Sequence, residues 1–183
     1  IQSVEVISLR EPENGFQKLT KEALRFAYRH SLIKENPDLL VLSATFQLKH
    51  ATNDALHEAQ EIYQKNRAYR SANHPLDYPN CGSVFKNIKA PDQVERILSV
   101  WPEISDQVEG KWHGKVSMGY IVRKLGLAGF TVGQAQISEK HCNFIINLGG
   151  AKAADVRAII NEIQTKCEEL FGFRPEVEVE IVK

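Results

Sequence analysis

The chain has 183 residues, enough for one large domain or two small ones, and its 43% hydrophobic and 25% charged content is that of a soluble globular protein. Lys and Arg together number 23, as do Asp and Glu, so no net field recruits nucleic acid or an anionic membrane. No apolar run approaches the roughly 20 residues needed to span a bilayer.

The chain opens at Ile1 directly into "SVEVISL". Val4 to Leu9 alternates apolar and polar residues, the pattern of a half-buried strand. So abrupt a start carries the expectation that a further segment precedes it. "PENG", Pro12 to Gly15, is turn chemistry. Thr20, followed by Glu22, Ala23 and Leu24, predicts a short capped helix that runs out near Tyr28 to Ser31. "DLLVLSATFQL", Asp38 to Leu48, predicts a strand. Beyond it, Ala55, Leu56, Ala59, Ile62 and Tyr63 form a helical stripe with Asn53 or Asp54 as cap.

Ser71 to Gly82 holds Pro75, Pro79 and Gly82 among Asn, Asp and His, and predicts a long connecting loop. Pro91 to Ser99 predicts a helix. "WPEISDQVEGKWHGK" is irregular and amphipathic, the texture of a surface insertion. "SMGYIVRKLGL" predicts a helix ending at Gly126, and "FTVGQAQIS" and "NFIINLG" predict two strands. Val156, Ile159, Ile160, Ile163, Cys167 and Leu170 make the clearest helical stripe, with Gly172 just past its end. "VEVEIV" predicts a closing strand. Helices and strands without a regular alternation predict an α+β fold, and the loop-rich centre is where a site would sit.

Cys81, Cys142 and Cys167 are three widely spaced cysteines without a CxxC, which argues against a disulfide framework or a metal site and suits a cytoplasmic protein. Cys142 and Cys167 read as buried small hydrophobes. Four stretches carry candidate chemistry. In "NCGSVFKN", Gly82 permits close backbone approach, and Ser83 could give a proton with Lys86 steadying the charge. The pattern GxSxG is absent, since Phe85 holds its last position, so a serine hydrolase is not indicated. A plain turn serine, with Asn87 capping the next helix, reads equally from these residues. In "YRHSLIK", Arg29 and Lys34 could grip an anion and Tyr28 could stack on a ring; cations suited to a helix C-terminus are the alternative. His141 and Asn143 could face a cleft, or be satisfied by nearby backbone. Glu176 sits at the mouth of the last predicted strand, where a carboxyl could shuttle a proton or merely be solvated.

Taken together, "YRHS", "NHPLDYPNCGSVFKN", "GLAGFTVGQAQISEKHCNFIINLGGAKAADV" and "FGFRPEV" resemble the UDP-N-acetylenolpyruvoylglucosamine reductase family of peptidoglycan synthesis, from about Val4 onward. The resemblance implies a flavoenzyme in which NADPH reduces FAD and the reduced flavin delivers hydride to the enolpyruvyl group, giving UDP-N-acetylmuramate. It implies that Ser83 protonates the carbanion or enol, and that Arg29 and Glu176 stabilise the enolate. Tyr28, Asn87, His141 and Lys86 become substrate-binding residues. Residues 1–70 become the trailing part of a FAD-binding domain, and 71–183 the C-terminal substrate-binding domain.

The chain departs from the family pattern in places. His30 stands where Asp follows "YR", Asn73 where a lysine is expected, and Arg174 where a Glu is usual. The 91–117 segment is longer than expected. The glycine-rich FAD loop of the family is absent, and Gly149 and Gly150 do not replace it, so the expectation is that this chain alone binds FAD poorly. A truncated UDP-sugar-binding module without reductase activity is the second reading.

Overall fold

The computed structural model describes residues 1–182 and divides into two compact units, 1–60 and 61–183. It is α+β, as the sequence predicts.

The first unit is an antiparallel three-stranded sheet in the order β2-β1-β3, made of β1 (Ser3–Ser8), β2 (Phe16–Thr20) and β3 (Leu39–Thr45). Its core is small: Val4, Val6 and Leu24 are buried, with Leu19, Ile33 and Leu39 packed against them. Strand β2 and the turns after it replace the short helix predicted from Thr20. Thr20 Oγ1 does accept the Ala23 amide at 3.3 Å, but Arg25 then takes a positive φ of 47°. The Leu24 carbonyl accepts the Leu32 amide at 2.9 Å, so the turn never extends into a ladder. A four-residue helix, α1 (Leu32–Glu35), is capped by Ser31 instead.

Helix α2 (Asn53–Asn73) follows. Thr52 rather than Asn53 or Asp54 caps it, accepting the Ala55 amide at 3.3 Å. No residue of α2 is buried, so the predicted apolar stripe is exposed along its length. The helix also consumes the start of the predicted loop, with Asn73 Nδ2 donating to the Tyr69 carbonyl at 2.8 Å before Pro75 ends it.

The second unit is built on an antiparallel sheet in the order β4-β7-β6-β5: β4 (Asn80–Ser83), β5 (Thr131–Val132), β6 (Ala135–Ile137) and β7 (Phe144–Asn147). "FTVGQAQIS" is thus a hairpin, not one strand. Its turn needs Gly133, whose φ is 56° and where a Cβ would lie 2.5 Å from the Asp155 carboxylate. That carboxylate accepts the Lys152 amide at 2.9 Å and starts α5 (Ala153–Phe171).

Helices α3 (Pro91–Val100), α4 (Met118–Lys124) and α5 close the core with Ile97, Ile121, Ile159 and Ile163, all buried. Leu170, assigned to the α5 stripe, is exposed, and Phe171 is buried in its place. The 101–115 stretch is not a surface insertion. Ile104 and Val108 are buried in the core, and Trp101 meets Phe171 edge-on with ring centres 4.9 Å apart.

"VEVEIV" forms no strand among the described residues, only an antiparallel bridge of Val177 with Phe85. The Val84 carbonyl accepts both the Glu178 amide at 2.7 Å and the Val179 amide at 3.4 Å, which breaks the alternation a ladder requires. Cys142 and Cys167 are buried as expected, and burial pushes the Cys167 thiol up to about 12.

Candidate functional site

Ser83 ends β4, opposite Phe144 of β7, immediately after Gly82 at φ 86°. It is half-buried, on a strand end rather than on a plain turn. The backbone beyond it is held from two sides. On one, the Val84 amide donates to the Asn143 carbonyl at 2.8 Å. The Asn143 side chain then closes on Phe85, accepting its amide at 3.0 Å and donating to its carbonyl at 2.9 Å. Asn143 is only 4% exposed, so both halves of its amide are satisfied in a dry place, where an unmade bond is expensive. On the other side lies the 176–179 segment. The Lys86 amide donates to the Glu176 carbonyl at 3.0 Å, and the Lys86 ammonium pairs with the Glu176 carboxylate.

Ser83, Lys86 and Glu176 therefore belong to two neighbouring segments joined in antiparallel register. Gln164 of α5 secures the second segment, donating to the Pro175 carbonyl at 3.0 Å. Arg174 adds bonds to Glu168 and Asn161, each at 2.8 Å. The residue that departs from the family pattern is thus a strut between α5 and the carboxylate-bearing segment. Glu176 is 70% exposed and Lys86 25%, so the ion pair itself adds little stability. Its consequence is geometric: it holds the two side chains together.

Asn87 caps a helix, though not the next one: its Oδ1 accepts the Met118 amide at the start of α4, at 3.1 Å. His141 precedes β7 and is half-buried. Its ring stacks on His74, centres 5.2 Å apart and planes at 25°, and meets Phe144 at 4.7 Å. Burial first, and the neighbouring His74 second, hold His141 below the ordinary histidine value of 6.5. Asn147 Oδ1 accepts the amides of Gly149 (2.8 Å) and Ala151 (3.0 Å), so the Gly149–Gly150 turn is locked from within its own unit.

Tyr28 and Arg29 lie in the first unit. They do not end a helix. Ala27 and His30 exchange both backbone hydrogen bonds at 3.1 Å, which makes residues 28 and 29 the tip of a two-residue turn. Arg29 sits at φ 58°, a conformation that costs a non-glycine residue about 1 kcal/mol or more, and its guanidinium lies over the Tyr28 ring, 5.3 Å from the centre. His30 pairs with Glu35 at 2.9 Å.

Three surface cavities of 430, 330 and 250 Å³ lie elsewhere in the second unit, and none is lined by Ser83, Lys86, His141 or Glu176. Two residues that position the site were not assigned to it from sequence. Asn143 appeared only as a cleft candidate, and its spacing from Phe85 hides the clasp. His74 lay inside a stretch read as loop. No cluster of metal-ligating side chains occurs among the described residues. No helix of the structure is long and apolar enough to cross a membrane.

Comparison with known proteins identifies the family. A family model described as UDP-N-acetylenolpyruvoylglucosamine reductase, C-terminal domain, matches residues 74–182. A UDP-N-acetylenolpyruvoylglucosamine reductase of Fervidobacterium nodosum is 36% identical over 91% of the chain, which covers 45% of that relative. The reductase of Latilactobacillus sakei is 36% identical over 93% of the chain and 46% of the relative. A crystal structure of the reductase from Thermus caldophilus superposes over 100% of the chain and 53% of its own, with TM-score 0.68 and 26% identity. The chain spans just under half the length of these two curated relatives.

Proposed function

The chain belongs to the UDP-N-acetylenolpyruvoylglucosamine reductase family through its C-terminal domain, and we propose that it is the substrate-binding and proton-donating part of such a reductase, acting in peptidoglycan synthesis. In this reading residues 71–183 bind UDP-N-acetylenolpyruvoylglucosamine, and residues 1–70 are the trailing part of a FAD-binding domain. The whole protein converts the substrate to UDP-N-acetylmuramate at the expense of NADPH, in the cytoplasm.

Residues 1–60 are a poor match for the dinucleotide itself. Gly15 is their only glycine, and a pyrophosphate needs glycines where backbone must approach it closely. No step is routed through FAD here; when bound to the whole protein, the flavin supplies the hydride.

What this chain's residues do follows from where charge develops. Hydride addition to an α,β-unsaturated carboxylate drives negative charge onto the carboxylate, so donors placed there act most strongly in the transition state. Arg29 supplies a guanidinium, and Glu176 the proton that it shares with the Lys86 ammonium. Ser83 Oγ–H gives its proton to the carbanion. Tyr28, Asn87 and His141 hold the sugar nucleotide.

The observation that carries the reading is the register of 83–86 beside 176–179, with the Lys86–Glu176 pair at its centre. The test is Ser83→Ala in the whole flavin-bearing protein. Flavin reduction by NADPH should persist, while reoxidation by the enolpyruvyl sugar slows by roughly 10²- to 10⁴-fold. Stopped-flow absorbance of the flavin follows both. Survival of both half-reactions removes Ser83 from the mechanism. A colourless whole protein that binds the sugar nucleotide but never oxidises NADPH favours the binding-module reading.

A further inference from the structure

His141 is fixed on several sides, and together these decide which of its nitrogens carries the proton. One ring face is covered by His74, stacked at 5.2 Å and 25°. Phe144 presents itself to both imidazoles, 4.7 Å from His141 and 5.2 Å from His74. Gly119 of α4 lies so near that a Cβ there would stand 3.1 Å from His141 Cε1, and the ring would have to give by a few tenths of an ångström. The backbone amide of Asn143 points at Nδ1, 3.3 Å away.

An amide nitrogen can only donate, so Nδ1 must offer its lone pair, and the single proton of a neutral ring falls on Nε2. Protonating Nδ1 would turn that bond into two opposed N–H groups. Nε2 makes no hydrogen bond among the described residues and, unlike His74 Nδ1, is not sealed from solvent. Charged groups nearby oppose a second proton. Arg123 of α4 donates to the Glu139 carbonyl in the turn before His141, and His74 itself lies against the ring. The adjacent Lys140 is engaged with Asp77 at 3.7 Å and the Ser71 carbonyl at 3.3 Å.

We infer that His74 is a positioning residue whose ring, stacked on His141, holds it as a neutral imidazole presenting Nε2–H as a hydrogen-bond donor to oxygen atoms of the bound sugar nucleotide. This rests on the reading of residues 71–183 as the substrate-binding domain. It gives His74, in a stretch where the family pattern is broken by Asn73, a defined task. The ligand recognised is an acceptor-rich UDP-sugar, met at this position by a neutral donor instead of a cation.

The test uses the full 183-residue chain and two readouts. Long-range ¹H–¹⁵N correlation spectra of the imidazoles should show His141 as the neutral Nε2–H form at pH 7 and still so somewhat below the ordinary histidine midpoint. Titration calorimetry with UDP-N-acetylglucosamine should show about a fivefold loss of affinity in His74→Ala, the scale of one hydrogen bond. His74→Phe, which keeps a flat ring but removes the second imidazole, should restore affinity while the His141 midpoint rises toward its ordinary value. An Nδ1–H or imidazolium pattern in the wild type at pH 7 overturns the inference even if the probe binds. So does a His74→Ala variant with affinity and titration unaltered. If the expected pattern is seen but no UDP-sugar binds, the substrate-domain reading falls and takes the donor role with it.

Discussion

Residues 1–60 and 61–183 are both apolar enough in sequence to build a core, and only the second builds a large one. In the first unit Val4, Val6 and Leu24 are the buried hydrophobic residues, while Leu40, Val41, Leu42 and Phe46, on or just after β3, are exposed. In the second, three helices and the hairpin cover the sheet, and Phe85, Ile97, Ile121, Ile137, Ile159 and Ile163 lie at 1% exposure or less. What the difference teaches is that an apolar strand is only an offer of burial, and a covering layer must accept it. The residues proposed to act on the substrate follow the same division. Ser83 and Glu176 sit on backbone anchored to the large core, whereas Arg29 rides a strained two-residue turn in the smaller unit.

That contrast can be broken most directly by cutting into the larger core. Phe85→Ala should cost about 3–5 kcal/mol, lowering the denaturation midpoint of the second unit and loosening the segment that carries Ser83 and Lys86. A loss below 1 kcal/mol would mean that the covering layer is not what holds this unit. Next in size is Asn143→Leu, which leaves the Phe85 amide and carbonyl without partners at a cost of about 2–4 kcal/mol. Hydrogen exchange at the Phe85 amide should accelerate strongly, and unaltered protection would show that the clasp is redundant.

A gentler probe is acid. His141 takes up a proton less readily in the folded chain than in the unfolded one, whose value is near 6.5. Stability from this group is therefore complete above that pH and is lost as pH falls below it, until His141 itself protonates. The melting temperature of the second unit should drop between pH 7 and pH 5, and His141→Gln should flatten the slope; an equal slope in both proteins rejects the assignment. The smallest effect belongs to the first unit. Leu42→Ala, at an exposed site, should stay within about 0.5 kcal/mol by chemical denaturation, and a loss of several would show that β3 is covered in solution.

Legibility from sequence followed the range of the interactions. Helix α5 was readable because its stripe and its Gly172 end lie within one segment. The site was readable only as a list. Ser83, Lys86, Arg29 and Glu176 took their roles from the resemblance; the alternative for Asn143 also proved apt, since Phe85 satisfies it, while Asn87 caps α4 instead of the next helix. The helix expected after Thr20 failed because the Leu24 carbonyl is taken by Leu32, a partner no local pattern announces. The closing strand failed because Val84 bonds two successive amides.

The sequence alone determined the fold class, the longer helices and the family, because periodicity, caps and motif order are written in neighbouring residues. Tertiary structure alone decided that Trp101 and Ile104 are core, that Lys86 meets Glu176, and that two histidines 67 positions apart share one stack. Those outcomes depend on which distant segments are brought into contact, and contact at long sequence separation is settled only when the whole chain competes for burial and hydrogen bonds.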